Sequence, residues 1–344
     1  MGIVERTDAW QRRHSVLGFP IGVIYKFADD RGPHLAALIT YYAVISLFPL
    51  LLLFFSGLGF LLDGNPELQH RFVTSALAGL PPLRGQVQNS LTGYHGSGLG
   101  LAIGIGGTLY GGLGVMQAAQ AAFNRVYAVP RNEQPNPIRS RVRSLLLLLL
   151  LGGGVIVTTA LSAVFSLGDH LDLFLGTGWR IAAFLLSLAC NVALFTGAFQ
   201  LLTARDLRAR EVVTGGLLAG AAWQGLQSLG TLFLSHQLVR ANELYGTFAL
   251  VLGLIAWIFL EALVVVIAAE INVVASARLW PRALLTPFTD DVELTDADRR
   301  CYTWYARSER FKGTSRIDIS FAPSSPRTPP GALDERAREP ATRP

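Results

Sequence analysis

From Phe248 to Ala268 every residue is apolar except Glu261. A run of that length is long enough for a helix to cross a bilayer, and composition favours that outcome. Hydrophobic residues make up 51% of the 344 and charged residues only 15%, a surplus that one soluble core cannot hide. Within a bilayer a carboxylate is costly and turns toward protein or water rather than lipid, so Glu261 is the residue in the run that requires a reason. Glu270 and Asn272 follow where the run ends.

Apolar stretches divided by charged or Pro- and Gly-bearing segments recur along the rest of the chain. They predict an all-α polytopic membrane protein with six transmembrane helices, at about 35–62, 98–120, 144–167, 179–202, 212–234 and 245–270, within a transmembrane domain 35–276. Residues 1–34 form a polar cytoplasmic segment. Its apolar stretch, Val16 to Phe27, is broken by Pro20 and reads as an interfacial helix. The pair Arg12-Arg13 is followed by no short apolar region with a cleavage site, which excludes an export signal. The first span exceeds a perpendicular crossing, so it is expected to tilt or to kink at Pro49. Residues 63–97 form an extracytoplasmic loop in which Leu68, Phe72, Leu77 and Leu80 are spaced like one face of a short helix. Beyond Pro281 the acidic, then Pro/Ser/Arg-rich composition predicts a largely disordered cytoplasmic tail, 281–344.

Two kinds of polar or small position stand out inside the spans. Gly100, Gly104, Gly107 and Gly111 in the second, with Gly216 and Gly220 in the fifth, have the spacing that lets helix backbones approach closely. Gln117, Gln120 and Asn124 fall at i, i+3 and i+7, a polar stripe on a helix leaving the membrane. Asn191, in the middle of an apolar run, is expected to bridge helices, because a mid-membrane amide needs a partner.

Arginines orient the spans. One side collects Arg6, Arg12, Arg13 and Arg31, the loop 128–143 with Arg131, Arg139, Arg141 and Arg143, then Arg205, Arg208 and Arg210, and finally Arg278 and Arg282; the other has Arg71, Arg84, Arg180 and Arg240. The positive-inside rule then predicts both termini in the cytoplasm. With that orientation Tyr41, Tyr42, Gln117, Gln120, Asn124, Gln200, Glu270 and Asn272 share the inner half of the bilayer. Glu261 is roughly 13 Å deeper than Glu270 and about 180° round the helix, so a straight helix cannot bring both to one narrow site. For Glu270, near the interface, an exposed or arginine-paired carboxylate stands as the alternative to a pathway role.

The order Tyr245-Gly246-Thr247-Phe248, then Trp257, then Ala269-Glu270-Ile271-Asn272, resembles the closing signature of the YihY/YhjD/BrkB family of bacterial inner-membrane proteins linked to envelope integrity. Ala36-Ala37, Tyr41-Tyr42 and Ser46-Leu47-Phe48-Pro49 resemble its opening signature, and Phe123-Asn124-Arg125-Val126-Tyr127 its pattern at the end of the second span. The resemblance runs from about Ala36 to Asn272, while the loop Arg205 to Arg210 is not a close match. It implies an integral protein of the bacterial cytoplasmic membrane that handles lipids or another amphipathic substrate. Tyr41, Tyr42, Ser46, Pro49, Gln117, Gln120, Asn124, Tyr245, Gly246, Glu261, Glu270 and Asn272 are the pathway candidates.

Other chemistries find little footing. The six histidines, His14, His34, His70, His95, His170 and His236, have no ligand-like spacing. The string Gly104-Ile105-Gly106-Gly107 follows no strand, and no phosphate-binding loop with its lysine occurs. Some members of the resembled family have carried a ribonuclease label. No soluble carboxylate cluster or basic, aromatic-interleaved surface supports it here. The expectation is a transporter or flippase, with a non-catalytic envelope scaffold as the alternative. No catalytic residue, metal, cofactor or nucleic acid is expected; the expected partners are membrane lipids, with further copies of the chain or other envelope proteins.

Overall fold

The computed structural model describes residues 6, 8, 10–12, 15–61, 98–170, 176–289 and 292–321. Among them the chain is helical, without strands: α1 Ser15–Asp29, α2 Gly32–Leu61, α3 Gly98–Val126, a 3-10 turn Arg131–Glu133, α4 Pro137–His170, α5 Gly176–Leu202, α6 Ala209–Ala277 and α7 Asp296–Ser308. Four stretches among the described residues are long and apolar enough to cross a membrane: Gly32–Leu53, Leu101–Val126, Phe184–Leu202 and Val251–Ala277. The loop expected at 63–97 lies outside the described residues. The chain divides into two compact units, one made of Phe27–Val129 and Glu133–Asn272, the other of Met1–Lys26, Pro130–Asn132 and Val273–Pro344.

In the first unit α2 and α3 pack antiparallel. Leu53 lies against Gly104, Pro49 against Gly107, Ser46 against Gly111 and Tyr42 against Gly114. A Cβ added at Gly104 would stand 2.9 Å from the Leu53 Cα, and one at Gly107 2.7 Å from the Pro49 Cβ. Four glycines on one stripe therefore let the two backbones touch, which is how helices associate where lipid supplies no hydrophobic drive. Helix α2 continues through Pro49 without ending. Further contacts carry the packing round: Gly112 against Leu148 joins α3 to α4, Gly154 against Leu194 joins α4 to α5, and Gly216 and Gly220 seat α6 on Thr196 and Val192 of α5.

Helix α6 departs from the expectation of two helices separated by a loop at 235–244. Helical backbone runs unbroken for 69 residues, which laid straight would reach about 104 Å. Yet the Gly215 N–H donates to Asn272 Oδ1 at 2.6 Å across a separation of 57 residues, positions that a straight helix would hold about 86 Å apart. The run therefore doubles back into two antiparallel limbs. The reversal is made inside the helical pattern rather than by a turn.

Several helix ends also differ from the sequence reading. Helix α4 begins at Pro137, a residue suited to the first helical position because its missing N–H would go unused there. Arg139, Arg141 and Arg143 thus sit on a helix rather than in a loop 128–143. Helix α3 stops through a backbone motif, with Val129 N–H donating to the Asn124 carbonyl and Ala128 N–H to that of Arg125. Ala128 takes φ 45°, and Arg278 plays the same part after α6 at φ 52°. Glycine normally fills such left-handed positions.

In the second unit α1 runs through Pro20 as one helix. Tyr25 Oη donates to the Leu284 carbonyl at 2.8 Å, the Leu284 N–H donates to Asp8 Oδ1 at 2.9 Å, and Gln11 Nε2 donates to the Arg282 carbonyl at 2.6 Å. Helix α7 opens with a capping box between Thr295 and Asp298. The Asp298 carboxylate pairs with the buried Arg282 guanidinium and accepts from the Ala283 N–H at 3.0 Å. After α7 the chain clasps the 3-10 turn: Arg310 Nε donates to Asn132 Oδ1 at 3.0 Å, and Arg131 pairs with Glu309. The disorder expected from Pro281 is corrected for the residues to Phe321. Average composition hid a short amphipathic helix that buries Ala297 and Cys301 and neutralises the buried Arg282. Residues 322–344 lie outside the described residues.

Candidate functional site

Polar side chains of the first unit gather at two levels. The lower level stands where α3 ends, α4 and α6 begin, and α5 and α6 finish. Gln120 Nε2 donates to Ser144 Oγ at 2.8 Å, and Ser140 Oγ returns a bond to Gln120 Oε1 at 3.2 Å, tying α3 to α4. Asn124 Oδ1 accepts the Ala204 N–H at 2.9 Å, just past α5. Arg143 Nη1 donates to the Thr203 carbonyl at 3.0 Å, a cation placed on the partial negative charge at a helix C-terminus. Asn272, fully buried, holds the two limbs of α6 together through Gly215.

Tyr127 and Glu270 complete this level. The Tyr127 phenol is buried, and burial lifts its pKa above the ordinary value of 10.0; the Asn272 side chain opposes that rise, and the Glu270 and Glu211 carboxylates add to it. It is therefore a neutral hydroxyl over the physiological range. Glu270 has no exposed surface, which overturns the exposed one of its two alternatives to a pathway role, exposed or arginine-paired. It stands near the end of α6, where the helix is covered nearly all round: Ala268, Ala269, Glu270, Asn272, Val273 and Val274 are all buried.

The second level lies within the spans. Asn191 Nδ2 on α5 donates to Gln224 Oε1 on the first limb of α6 at 2.9 Å, and Ser187 Oγ approaches the same oxygen at 3.4 Å. The expected bridging role of Asn191 is thus met by Gln224. Glu261, on the second limb, accepts the Trp257 indole N–H at 2.8 Å, and both side chains are partly buried.

The other pathway candidates separate. Tyr42, Ser46 and Pro49 press on the α3 glycines, and the Ser46 hydroxyl donates to its own helix at the Ala43 carbonyl. Tyr41 is 60% exposed and packs edge-on against Tyr42, while Gln117 faces outward. Tyr245, Gly246 and the surroundings of Gly100 lie outside the described side chains. Sequence reasoning missed Tyr127, Gly215, Ser144 and Arg143 as members of the lower level. Only Tyr127 had a signal: the stripe through Gln120 and Asn124 reaches it one helical step later.

Known proteins share the sequence over most of this framework. The inner membrane protein YhjD of Escherichia coli is 23% identical over 296 residues, covering 81% of this chain and 87% of that protein. A UPF0761 membrane protein of Pseudomonas paraeruginosa is 26% identical over 272 residues, 76% of this chain and 64% of that protein. One of Azotobacter vinelandii is 27% identical over 287 residues, 75% of this chain and 63% of that protein. The chain thus spans somewhat under two-thirds of the latter two. No solved structure matches. The family described as Virulence factor BrkB matches residues 23–287, both α2–α3 and the doubled α6 included. With well over half of its length so matched, this chain belongs to the Virulence factor BrkB family of membrane proteins.

Proposed function

We propose that this protein crosses the bacterial cytoplasmic membrane six times, with both termini in the cytoplasm, and moves a lipid or other amphipathic substrate between the leaflets. The observation that carries the reading is Glu261: a carboxylate within the Val251–Ala277 span, partly buried, with a tryptophan indole on one oxygen. A charged or protonatable group at that depth marks a pathway more readily than a fold requirement. The orientation rests on the arginine distribution, and the doubled α6 supports counting its limbs as two spans. The reading is non-catalytic and needs no cofactor, metal or nucleic acid; its partners are membrane lipids, with further copies of the chain or envelope proteins.

A scaffold that supports the envelope by contact is the second reading, favoured by the continuous glycine contact between α2 and α3. Proteoliposomes of the purified chain separate the two. Wild type and Glu261→Gln are compared for lipid scrambling and efflux under an imposed proton gradient. Movement that is lost in the variant, with the fold retained, supports transport. No movement of any envelope lipid by folded wild type would sink it and leave the scaffold.

A further inference from the structure

We infer that the groove between α4 and the first limb of α6, floored by α5, seats an anionic phospholipid whose phosphate is held by arginines at the groove's charged end. The seat stands whether or not the chain moves lipid. Its first element is register. Helix α5 meets α4 through Leu194 and Gly197, against Gly154 and Leu150, and meets the first limb of α6 through Val192 and Thr196, against Gly220 and Gly216. At about 100° per residue Ala193 falls between these two lines of contact, and Ala189 stands one turn away on the same face; both are exposed. Leu146, one turn from Leu150, edges the groove on α4 and is 52% exposed. Val213 and Leu217, each three residues before one of the contacting glycines, edge it on α6 and are exposed too.

The second element is charge. Arg143 Nη1 donates to the Thr203 carbonyl at 3.0 Å, which ties α4 to the end of α5, and Arg139 stands one turn before Arg143 on the same face. Across α5, the contact of Gly216 with Thr196 sets the register of the antiparallel pair. Six residues back from Gly216 and six on from Thr196, Arg210 comes level with Leu202, on the stripe that carries Val213 and Leu217. Arg205 lies in the connection between the two helices. The segments 137–143 and 203–211 hold six arginines against Asp206 and Glu211, and Arg139, Arg205 and Arg210 are exposed. The Glu211 carboxylate is taken up by the Arg208 N–H at 3.4 Å. Beyond the arginines the helices that form the groove carry no charge through 144–154, 184–202 and 212–227. An apolar groove that ends on arginines from two helices matches an amphiphile with an anionic head: acyl chain along Ala189 and Ala193, phosphate between Arg139 and Arg210, with guanidinium forks on its oxygens. Phosphatidylglycerol brings no cation to that end. An ethanolamine head would set its ammonium among the arginines.

Retention of lipid by the purified full-length chain tests this. The chain is loaded with equal phosphatidylglycerol and phosphatidylethanolamine, and native mass spectrometry counts what stays bound. Wild type should favour phosphatidylglycerol by roughly tenfold. Arg139→Gln with Arg210→Gln should erase the preference, and Arg139→Lys with Arg210→Lys should largely keep it. Arg299→Gln with Arg316→Gln removes the same charge from exposed positions elsewhere and should leave the preference unchanged. Ala193→Trp fills the groove from its exposed side and should lower phosphatidylglycerol retention. Equal retention of the two lipids by wild type, an equal fall in both glutamine pairs, or full retention by an Ala193→Trp protein that melts like wild type overturns the inference. Displacement of the bound lipid by excess glycerol phosphate would overturn the lipid source and assign the arginines to a free phosphate.

Discussion

Gly215→Ala is expected to force apart the two limbs of α6. An added Cβ would stand 2.6 Å from Asn272 Cγ and nearer still to the Ala268 carbonyl oxygen, where ordinary contact begins at 3.4 Å. The amide could rotate, but the carbonyl is helix backbone and cannot, so the limbs must separate by close to an ångström. Overpacking of this kind costs about 1–3 kcal/mol. Separation also breaks the bond from Gly215 N–H to Asn272 Oδ1, and stranding a buried acceptor costs about 1–3 kcal/mol more. The total expected loss is about 2–5 kcal/mol. SDS titration of the purified chain in mild detergent, followed by circular dichroism, measures it. Gly225→Ala is the matched control, since its Cβ would meet nothing within 4 Å; helix propensity alone should leave it neutral or about 0.5–1 kcal/mol more stable. Equal stability of Gly215→Ala and wild type would refute the doubling of α6 at this contact. An equal change in both variants would trace the effect to propensity instead.

Three further outcomes follow from the same structure. Ala128 holds a left-handed conformation at φ 45°, so Ala128→Gly should gain and Ala128→Val should lose, each about 1 kcal/mol in thermal or SDS unfolding. Asp298→Ala leaves the buried Arg282 without its carboxylate, a loss of about 3–5 kcal/mol within the second unit; maleimide labelling of the now buried Cys301 should become fast, and unchanged labelling would contradict the docking of α7. Tyr127 is held protonated in the folded chain while the unfolded chain ionises near its ordinary value of 10.0. The unfolded state then binds fewer protons, so stability present below pH 10 falls as the pH rises above it. Tyr127→Phe should remove part of that alkaline fall, measured as unfolding midpoints from pH 8 to 11.

What the sequence made legible was position along the helix axis. A residue's position follows from 1.5 Å per step, and the shared level of Gln120, Asn124 and Asn272 came directly from it. Helix ends were harder to read, because Arg31, Ala128 and Arg278 take left-handed conformations that glycine normally announces. Helix α7 was hidden for another reason: a tail judged by average composition looks too polar to order, yet one apolar face and the pairing of Arg282 with Asp298 suffice to fix it. The reversal of α6 was legible as a polar break, Ser235 to Glu243, between two apolar runs, but not its helical form, since no proline or glycine-rich turn separates Leu234 from Leu244.

The two glutamates show what depth alone leaves out. Near-interfacial depth suggested water or an arginine beside Glu270. Depth, however, says nothing of what surrounds a helix at that level. At the inner end α6 is buried at almost every position from Ala268 to Val274, with Tyr127 and Glu211 close enough to act on one another there. In the ten to nineteen residues before Glu270 the same helix is bare on several sides, with Val251, Leu252, Leu254, Ile255 and Leu260 all exposed. Glu261 thus lies where lipid or substrate can arrive, and Glu270 where only protein can. A carboxylate sealed on every side is suited to fixing an arrangement of helices, and one only partly buried in a span is suited to meeting a passing charge. Function is therefore sought at Glu261 and structural loss at Glu270.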